Sequence, residues 1–169
     1  GVSYPEDLVQ DRELEFASRA LPSIELNGSF YSLQKPESYA AWYEATPRGF
    51  VFSIKGNRFI THTRRLKDID GPLANVFASG VFNLREKLGP FLWQFPPNFK
   101  FDAGRMEHFL SLLPHDTDAG LELARTYEPR MEGKVALDVD AKRKLRHAVE
   151  IRHESFIDEA FIALLRKYK

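Results

Sequence analysis

Polar side chains that can bind and orient a small anion lie at the ends of four short apolar runs. In chain order they are Glu25 and Asn27, Ser53 and Lys55, Gln94, and Glu150 and Arg152. An ionised carboxylate can act as a general base. Arginine binds a carboxylate or phosphate through two parallel hydrogen bonds, whereas lysine acts as a point charge. The amides of Asn and Gln donate and accept hydrogen bonds, so they can orient a substrate.

These residue types predict acid–base chemistry, of hydrolase or lyase type, on a small anionic substrate. The predicted roles are general base for Glu25 or Glu150, anion binding for Lys55 and Arg152, and substrate orientation for Asn27 and Gln94. A structural alternative stays open, in which the two cations pair with the two glutamates in a network. The interpretations are compatible, because a substrate could displace water from such a network. The sequence leaves open whether the chain is an enzyme.

Two histidines are candidates for proton transfer near neutral pH. His62 lies in an irregular loop after the second run, where strand alternation gives no information about its direction. His62 is a catalytic candidate. The equal alternative is that its side chain lies outside the site. His153 follows Arg152 and has the alternation of the apolar side, which favours packing under the last helix.

Other classes of site have weaker support in the sequence. Carboxylates and imidazoles from several strand ends could bind a metal, but no close spacing such as His-x-x-x-His is present. We therefore predict no metal ligands, and any cofactor stays unassigned. The chain also lacks a glycine-rich phosphate loop and a Gly-x-Ser-x-Gly elbow. Serine nucleophiles and nucleotide hydrolysis are thus poorly supported.

The apolar runs have the alternation of β-strands, and helical patterns separate them. The runs are 23–27, 50–55, 91–94 and 147–152. Because strand side chains alternate between faces, each run places its polar end groups on one side and its apolar groups on the other. This pattern predicts consecutive parallel strands, with helices on the apolar face. In such α/β folds, ligands bind at the carboxyl ends of the strands.

Helical spacing and helix-ending residues predict the elements between the strands. The expected helices are Asp11 to Leu21, one from Pro36 that stops at Thr46–Gly49, Leu73 to Leu88 closed by Gly89-Pro90, one capped by Asp102, Thr117 to Tyr127, and a last one after a capping box at Ser155–Asp158. Trp93 has the alternation of the helix-facing side, so core packing is favoured over a stacking platform for ligands.

Composition limits the class of protein and its partners. The chain has 169 residues, 43% of them hydrophobic, which fits a single folded α/β domain over residues 1–169. Its formal net charge of zero gives no long-range field to attract nucleic acid. It has no cysteine, no apolar run of membrane-spanning length and no secretory signal features at its start. We expect a cytoplasmic protein without a membrane partner; the missing initiator Met suggests a fragment or a processed chain.

Two basic stretches support a rival function. They are 58–67 and 142–146, and both could contact the phosphates of a nucleic acid. The alternative is that both are solvated loops, which the zero net charge favours. A non-catalytic module that binds nucleic acid or protein through these loops is the second hypothesis.

The motifs also resemble those of the DUF72 (YecE-like) family. The similar segments are Ile24–Tyr31, Thr46–Lys55, Ile60–His62, Leu88–Pro97 and Ala148–Phe156. They occur in the family's order and span most of the chain. The resemblance implies a TIM-type barrel, of which this chain would supply about half, as strands two to five of eight. The family's biochemical role is not established, so the resemblance implies a fold and a site but no reaction.

Overall fold

The computed structural model describes residues 23–168, and they form a single parallel sheet covered by helices. The strands are β1 (Ser23–Leu26), β2 (Val51–Lys55), β3 (Leu88–Gln94) and β4 (His147–Glu150). They pair in the order β1-β2-β3-β4, and every pairing is parallel. The predicted order and direction of the strands are confirmed.

Six α-helices lie in the described part of the chain. They are α1 (Gly28–Tyr31), α2 (Pro36–Glu44), α3 (Asp70–Ala78), α4 (Ala103–Leu112), α5 (Thr117–Ala124) and α6 (Glu159–Lys167). None of the helices within residues 23–168 has the length and apolar character needed to cross a membrane. The helix predicted for Asp11 to Leu21 lies outside the described residues.

Aspartate side chains begin three of these helices by accepting backbone hydrogen bonds. Asp102 caps α4 as predicted, accepting from the N–H of Arg105 at 3.0 Å. The capping box predicted at Ser155 is wrong: Asp158 caps α6, whereas Ser155 lies in a 3₁₀ turn, Glu154–Phe156. The Ser155 hydroxyl instead accepts from the N–H of Phe101 at 2.7 Å, a long-range contact that local spacing does not reveal.

The single helix predicted from Leu73 to Leu88 is also wrong. Helix α3 ends at Ala78, Gly80 has φ +103°, and a 3₁₀ segment runs over Val81–Lys87. A side chain at Gly80 would approach the backbone of Pro36 at 2.5 Å, so the break permits close contact with α2. Gly89 and Pro90 lie inside β3.

A shift in register explains how β3 accommodates Gly89 and Pro90. Phe52 pairs with Leu88 and Ile54 with Phe91, so three steps along β3 face two along β2. Such a bulge tolerates a proline, which has no N–H for the ladder.

The apolar face of the sheet forms the core. Phe52 and Ile54 of β2 and Phe91 and Trp93 of β3 are buried, while Ser53, Lys55, Leu92 and Gln94 on the other face are only half-buried. The predicted alternation of both strands is thus confirmed, and Trp93 belongs to the core. Its Nε1 donates to Nδ1 of His147 at 3.1 Å.

Lys87 is a buried cation that joins the start of β3 to the end of α2. Its Nζ donates to the carbonyl of Tyr43 at 2.6 Å, the carbonyl of Thr46 at 2.7 Å and the hydroxyl of Thr46 at 3.0 Å. It also lies 4.2 Å from the centroid of the Tyr43 ring. A positive charge at the carboxyl end of a helix stabilises the last carbonyl groups and the helix dipole.

His147 makes the core sensitive to acid. Its Nε2 donates to the carbonyl of Pro114 at 2.7 Å, so Nδ1 must stay unprotonated to accept from Trp93. Burial lowers the pKa of His147 to about 4. An unfolded histidine titrates near 6.5, so the unfolded state binds more protons between these values. We expect the contribution of His147 to stability to be complete above about pH 6.5 and to fall by about 3 kcal/mol as the pH drops to 4.

Denaturant unfolding at several pH values would measure this loss. His147→Asn is the control, because its amide oxygen can still accept from Trp93 but does not titrate. The variant should lose less stability than the wild type between pH 7 and pH 4. Parallel curves for the two proteins would contradict the assignment.

Candidate functional site

The polar face of the sheet, at its carboxyl end, carries the predicted side chains. Lys55 lies opposite Leu92 in register. Gln94, two residues after Leu92, lies opposite Glu150. Arg152 follows Glu150, and its Nη2 lies 3.2 Å from Oε1 of that glutamate. The carboxyl ends of β2, β3 and β4 therefore present Lys55, Gln94 and the Glu150–Arg152 pair on one side of the sheet.

Phe30 is the centre of a cationic group that sequence reasoning did not identify. It is a buried residue of α1, directly after β1. Nζ of Lys55 lies 4.5 Å from the centroid of its ring, and Cζ of Arg58 lies 5.9 Å from it. The His62 ring meets the Phe30 ring edge-on at a centroid distance of 5.1 Å. One aromatic ring thus contacts two cations and an imidazole.

Two buried polar residues fix the backbone that carries these side chains. The Ser29 hydroxyl lies 2.6 Å from the carbonyl of Lys55 and 3.0 Å from that of Leu26, so it can donate to either. Nδ2 of Asn57 donates to the carbonyl of Ser29 at 3.1 Å, and its Oδ1 accepts from the N–H of Phe59 at 2.9 Å. Helix α1 is therefore attached to the end of β2 and to the turn that follows.

Gly56 permits the close packing between this turn and the core. A Cβ atom at this position would lie 2.2 Å from Cε3 of the buried Trp93 ring. The Gly56 N–H also donates to the carbonyl of Leu92 at 2.7 Å. Strand β2 can pass over the indole only because residue 56 has no side chain.

His62 lies in a π-helical turn, Phe59–Thr63, a type of turn that is frequent at functional sites. Its Nδ1 is 2.8 Å from the hydroxyl of Thr61. Partial burial lowers the pKa of His62 most, and nearby cations lower it further. These cations are, in decreasing order of effect, Arg58, Lys55, Arg65 and Arg152. The imidazole is therefore neutral at neutral pH, and Nε2 has no hydrogen-bond partner among residues 23–168.

The cations outnumber the carboxylates that pair with them. Among residues 23–168, no carboxylate lies within 4 Å of the charged groups of Lys55, Arg58 or Arg65. Arg65 donates to the side chain and the carbonyl of Asn98, both at 3.2 Å. Of the predicted ion-pair network, the Glu150–Arg152 pair is present, and the described residues contain no Lys55–Glu25 pair. We call the four cations Lys55, Arg58, Arg65 and Arg152, together with the neutral imidazole of His62, the cation cluster.

Glu25 and Asn27 are less closely connected to the cluster. Glu25 is exposed and lies opposite Ser53, which precedes Lys55 by two residues on the polar face. Strands β2 and β3 lie between it and Glu150, so the two residues are about 14 Å apart across the strands alone. Asn27 precedes α1 without a side-chain capping bond. The two candidates for the general base, Glu25 and Glu150, therefore lie at separate places on the polar face.

His153 lies just before the 3₁₀ turn that follows β4. His153 caps the 3₁₀ turn, since its Nδ1 accepts from the N–H of Ser155 at 3.1 Å. No group of three or more His, Asp or Glu side chains within residues 23–168 is arranged to hold a metal ion.

Arg58 and Arg65 were read in the sequence only as part of a basic stretch. The sequence signal that could have grouped them is their spacing, since Arg58 lies four residues before His62 and Arg65 three residues after it. Residues three and four apart lie on one side of a helical turn, so a helical segment there would gather them. Nothing in the local sequence pointed to Phe30.

Comparison with known proteins places the chain among relatives of unassigned role. The family model described as "Protein of unknown function DUF72" matches residues 1–169. The UPF0759 protein YecE of Escherichia coli strain K12 is 31% identical over 111 residues, covering 65% of this chain and 40% of YecE. The UPF0759 protein YunF of Bacillus subtilis strain 168 is 29% identical over 101 residues, covering 57% and 36%. The chain thus spans less than half the length of these relatives.

A solved structure shows the same fold. The DUF72 family protein EF0366 of Enterococcus faecalis V583 matches with a TM-score of 0.54 at 17% identity, over 92% of this chain and 53% of that one. At this identity the match shows the fold alone. Together with the family model, which spans every residue, it confirms the resemblance read from the motifs. The chain belongs to the DUF72 family of proteins of unknown function, to which the YecE-like proteins are related.

Proposed function

We propose that the chain binds a small anionic ligand at the cation cluster and contributes to acid–base chemistry, of hydrolase or lyase type, on it. One observation carries the proposal: Lys55 and Arg58 contact the same Phe30 ring beside a neutral His62, with no carboxylate of residues 23–168 within 4 Å of either cation. An anion between these groups would supply the missing negative charge.

Electrostatics supports an anion at this position. The distances from the Phe30 centroid, 4.5 Å and 5.9 Å, limit the separation of the two charged groups to about 10 Å. With an effective dielectric constant of about 20, two positive charges at that distance repel by about 1–2 kcal/mol. A ligand with a negative charge adds an attractive interaction with each cation, and these offset the repulsion.

The proposed roles follow the geometry. His62 is the proton-transfer group, because Thr61 fixes one ring nitrogen and the other is available to a ligand. Lys55, Arg58 and Arg152 bind the anion, Gln94 orients it, and Glu150 is the carboxylate nearest the cluster through its pair with Arg152. Glu25 and Asn27 belong to the outer part of the proposed site.

The TIM-type barrel is part of the same proposal. Four parallel strands with one apolar and one polar face match half of an eight-stranded barrel, and the described part of the chain supplies them in consecutive order. In this proposal the 169 residues are one domain, equivalent to strands two to five, and the polar face lines the barrel. Strands beyond this segment would add further groups to the site.

The rival hypothesis of a nucleic-acid module has less support. In the second basic stretch, Lys142 pairs with Asp118 and Arg143 with Asp140, which reduces its positive charge. In the first, Arg58 and Arg65 belong to the cation cluster.

We expect Lys55→Met to weaken the binding of inorganic phosphate about ten-fold or more, because a charge-assisted hydrogen bond contributes about 1.5–3 kcal/mol. Isothermal titration calorimetry measures the affinity. Lys144→Met is the matched control: it removes the same charge from an exposed position before β4, at the opposite end of the sheet. Its phosphate affinity should stay within about two-fold of wild type.

The pKa of His62 gives a second readout of the same proposal. A bound anion should raise this pKa, because it opposes the effect of the surrounding cations. NMR titration of the His62 ring, with and without phosphate, would show the change. An unchanged pKa together with equal phosphate binding by the Lys55→Met and Lys144→Met variants would refute the anion site.

A further inference from the structure

A cavity of about 480 Å³ is lined in part by residues that flank Phe30, Arg58 and Arg65 in the sequence. Its lining includes Tyr31, Asn57, Phe59 and Arg64. Tyr31 is 70% exposed and Phe59 is 36% exposed, so two aromatic side chains remain accessible there. The volume falls within the range of about 300–1,000 Å³ that is usual for small-molecule sites.

Tyr31 connects this cavity to the cation cluster. Its ring meets the Phe30 ring edge-on at a centroid distance of 5.1 Å, and Nζ of Lys55 lies 4.5 Å from the same Phe30 centroid. The charged nitrogen and the Tyr31 ring are therefore within about 10 Å of each other, close enough for one small ligand to contact both.

The two aromatic residues have fixed backbones. Tyr31 ends α1, which Ser29 and Asn57 attach to the end of β2. The N–H of Phe59 donates to Oδ1 of Asn57, and the guanidinium carbon of Arg64 lies 5.2 Å from the centroid of the Phe59 ring. Aromatic residues on a fixed backbone can stack with a planar group without a large loss of backbone entropy.

We propose that the anion carries a planar aromatic ring, with its charged group at Lys55 and Arg58 and its ring in the cavity against Tyr31 and Phe59. This inference rests on the proposed function and specifies the chemical class of its ligand. An aryl phosphate and a nucleoside monophosphate share this chemistry, because each joins a planar ring to a phosphate group. Neutral aromatic compounds and small aliphatic anions each match only one half of the site.

Methyl phosphate and phenyl phosphate test the inference, since they carry the same anionic group and differ in the ring. We expect wild-type protein to bind phenyl phosphate at least about five-fold more tightly, as expected for one aromatic stacking contact. Tyr31→Ala should remove this preference and leave the affinity for methyl phosphate unchanged. Ile157→Ala is the control, because it also truncates an exposed apolar side chain, 89% exposed, away from the cavity.

The outcomes separate this inference from the proposed function. If methyl phosphate binds and the phenyl group adds nothing, or if Tyr31→Ala retains the preference, the aromatic subsite is wrong and the anion site stands. If neither compound binds, the anion site is wrong as well. Adenosine monophosphate and ribose 5-phosphate form a second pair, which differs in the nucleobase. If the nucleobase increases affinity more than the phenyl group does, the ligand is a nucleotide. If it increases affinity less, the ligand is a simple aryl phosphate.

Discussion

Gly56→Ala is expected to lower the free energy of unfolding by about 3 kcal/mol and to weaken phosphate binding in the protein that remains folded. The new methyl group would lie 2.2–2.8 Å from three atoms of the Trp93 ring, and that ring is fully buried. Relief requires β2 to move away from β3, and this movement displaces Lys55 and Asn57. Denaturant unfolding and phosphate titration measure the two effects.

Gly104→Ala is the matched control for that experiment. Gly104 lies in α4, and a Cβ atom there would have its nearest contact at 3.6 Å, with Oδ1 of Asp102. Alanine favours a helix over glycine, so the same substitution should raise stability by up to about 1 kcal/mol. If the two variants have equal stability, Trp93 has room to move and the packing argument fails.

Lys87→Met should destabilise the protein by about 3–5 kcal/mol. Methionine keeps most of the apolar stem but removes the ammonium group, so the carbonyls of Tyr43 and Thr46 lose the hydrogen bonds that it donates. Each hydrogen bond to a charged group contributes about 1.5–3 kcal/mol. The loss also removes the positive charge at the end of α2.

Thermal and denaturant unfolding would show this effect. Lys144→Met serves as the comparison, because Lys144 is exposed and should contribute less than about 0.5 kcal/mol. Phosphate affinity should be similar in both folded variants, since neither lysine belongs to the cation cluster. A stability change below about 1 kcal/mol for Lys87→Met would mean that water replaces the ammonium group at the two carbonyls.

The sheet was predictable because its signal is local. Alternation in runs such as 50–55 depends only on neighbouring residues, and the structure confirms it at Phe52 and Ile54. The errors arose where contacts between distant residues decide the backbone. Helix α3 stops where the chain at Gly80 approaches Pro36. Ser155 does not cap the last helix, because its hydroxyl accepts a hydrogen bond from the N–H of Phe101. Neither partner can be inferred from spacing along the sequence.

The candidate site was predictable only in part for the same reason. Strand alternation placed Lys55, Gln94 and Glu150 on one face, because each lies in a regular strand. It also left open a network that pairs Lys55 with Glu25, which the described residues do not contain, since alternation gives the face of a residue but not its distance from residues on other strands. The contributions of Phe30 and Arg58 depend on α1 and the π-helical turn, whose positions follow from the hydrogen bonds of Ser29 and Asn57.

The position of the cation cluster in the sequence has a consequence for how the family can diverge. Four of its five members and Phe30 lie within residues 30–65, a single continuous stretch that ends before α3. Arg152 alone comes from a distant part of the chain. Substitutions in the core helices and the later strands could therefore accumulate while most of the proposed anion-binding groups are kept as one short segment. If the proposed anion site is correct, changes in charge within that segment would be the most direct way to change its ligand.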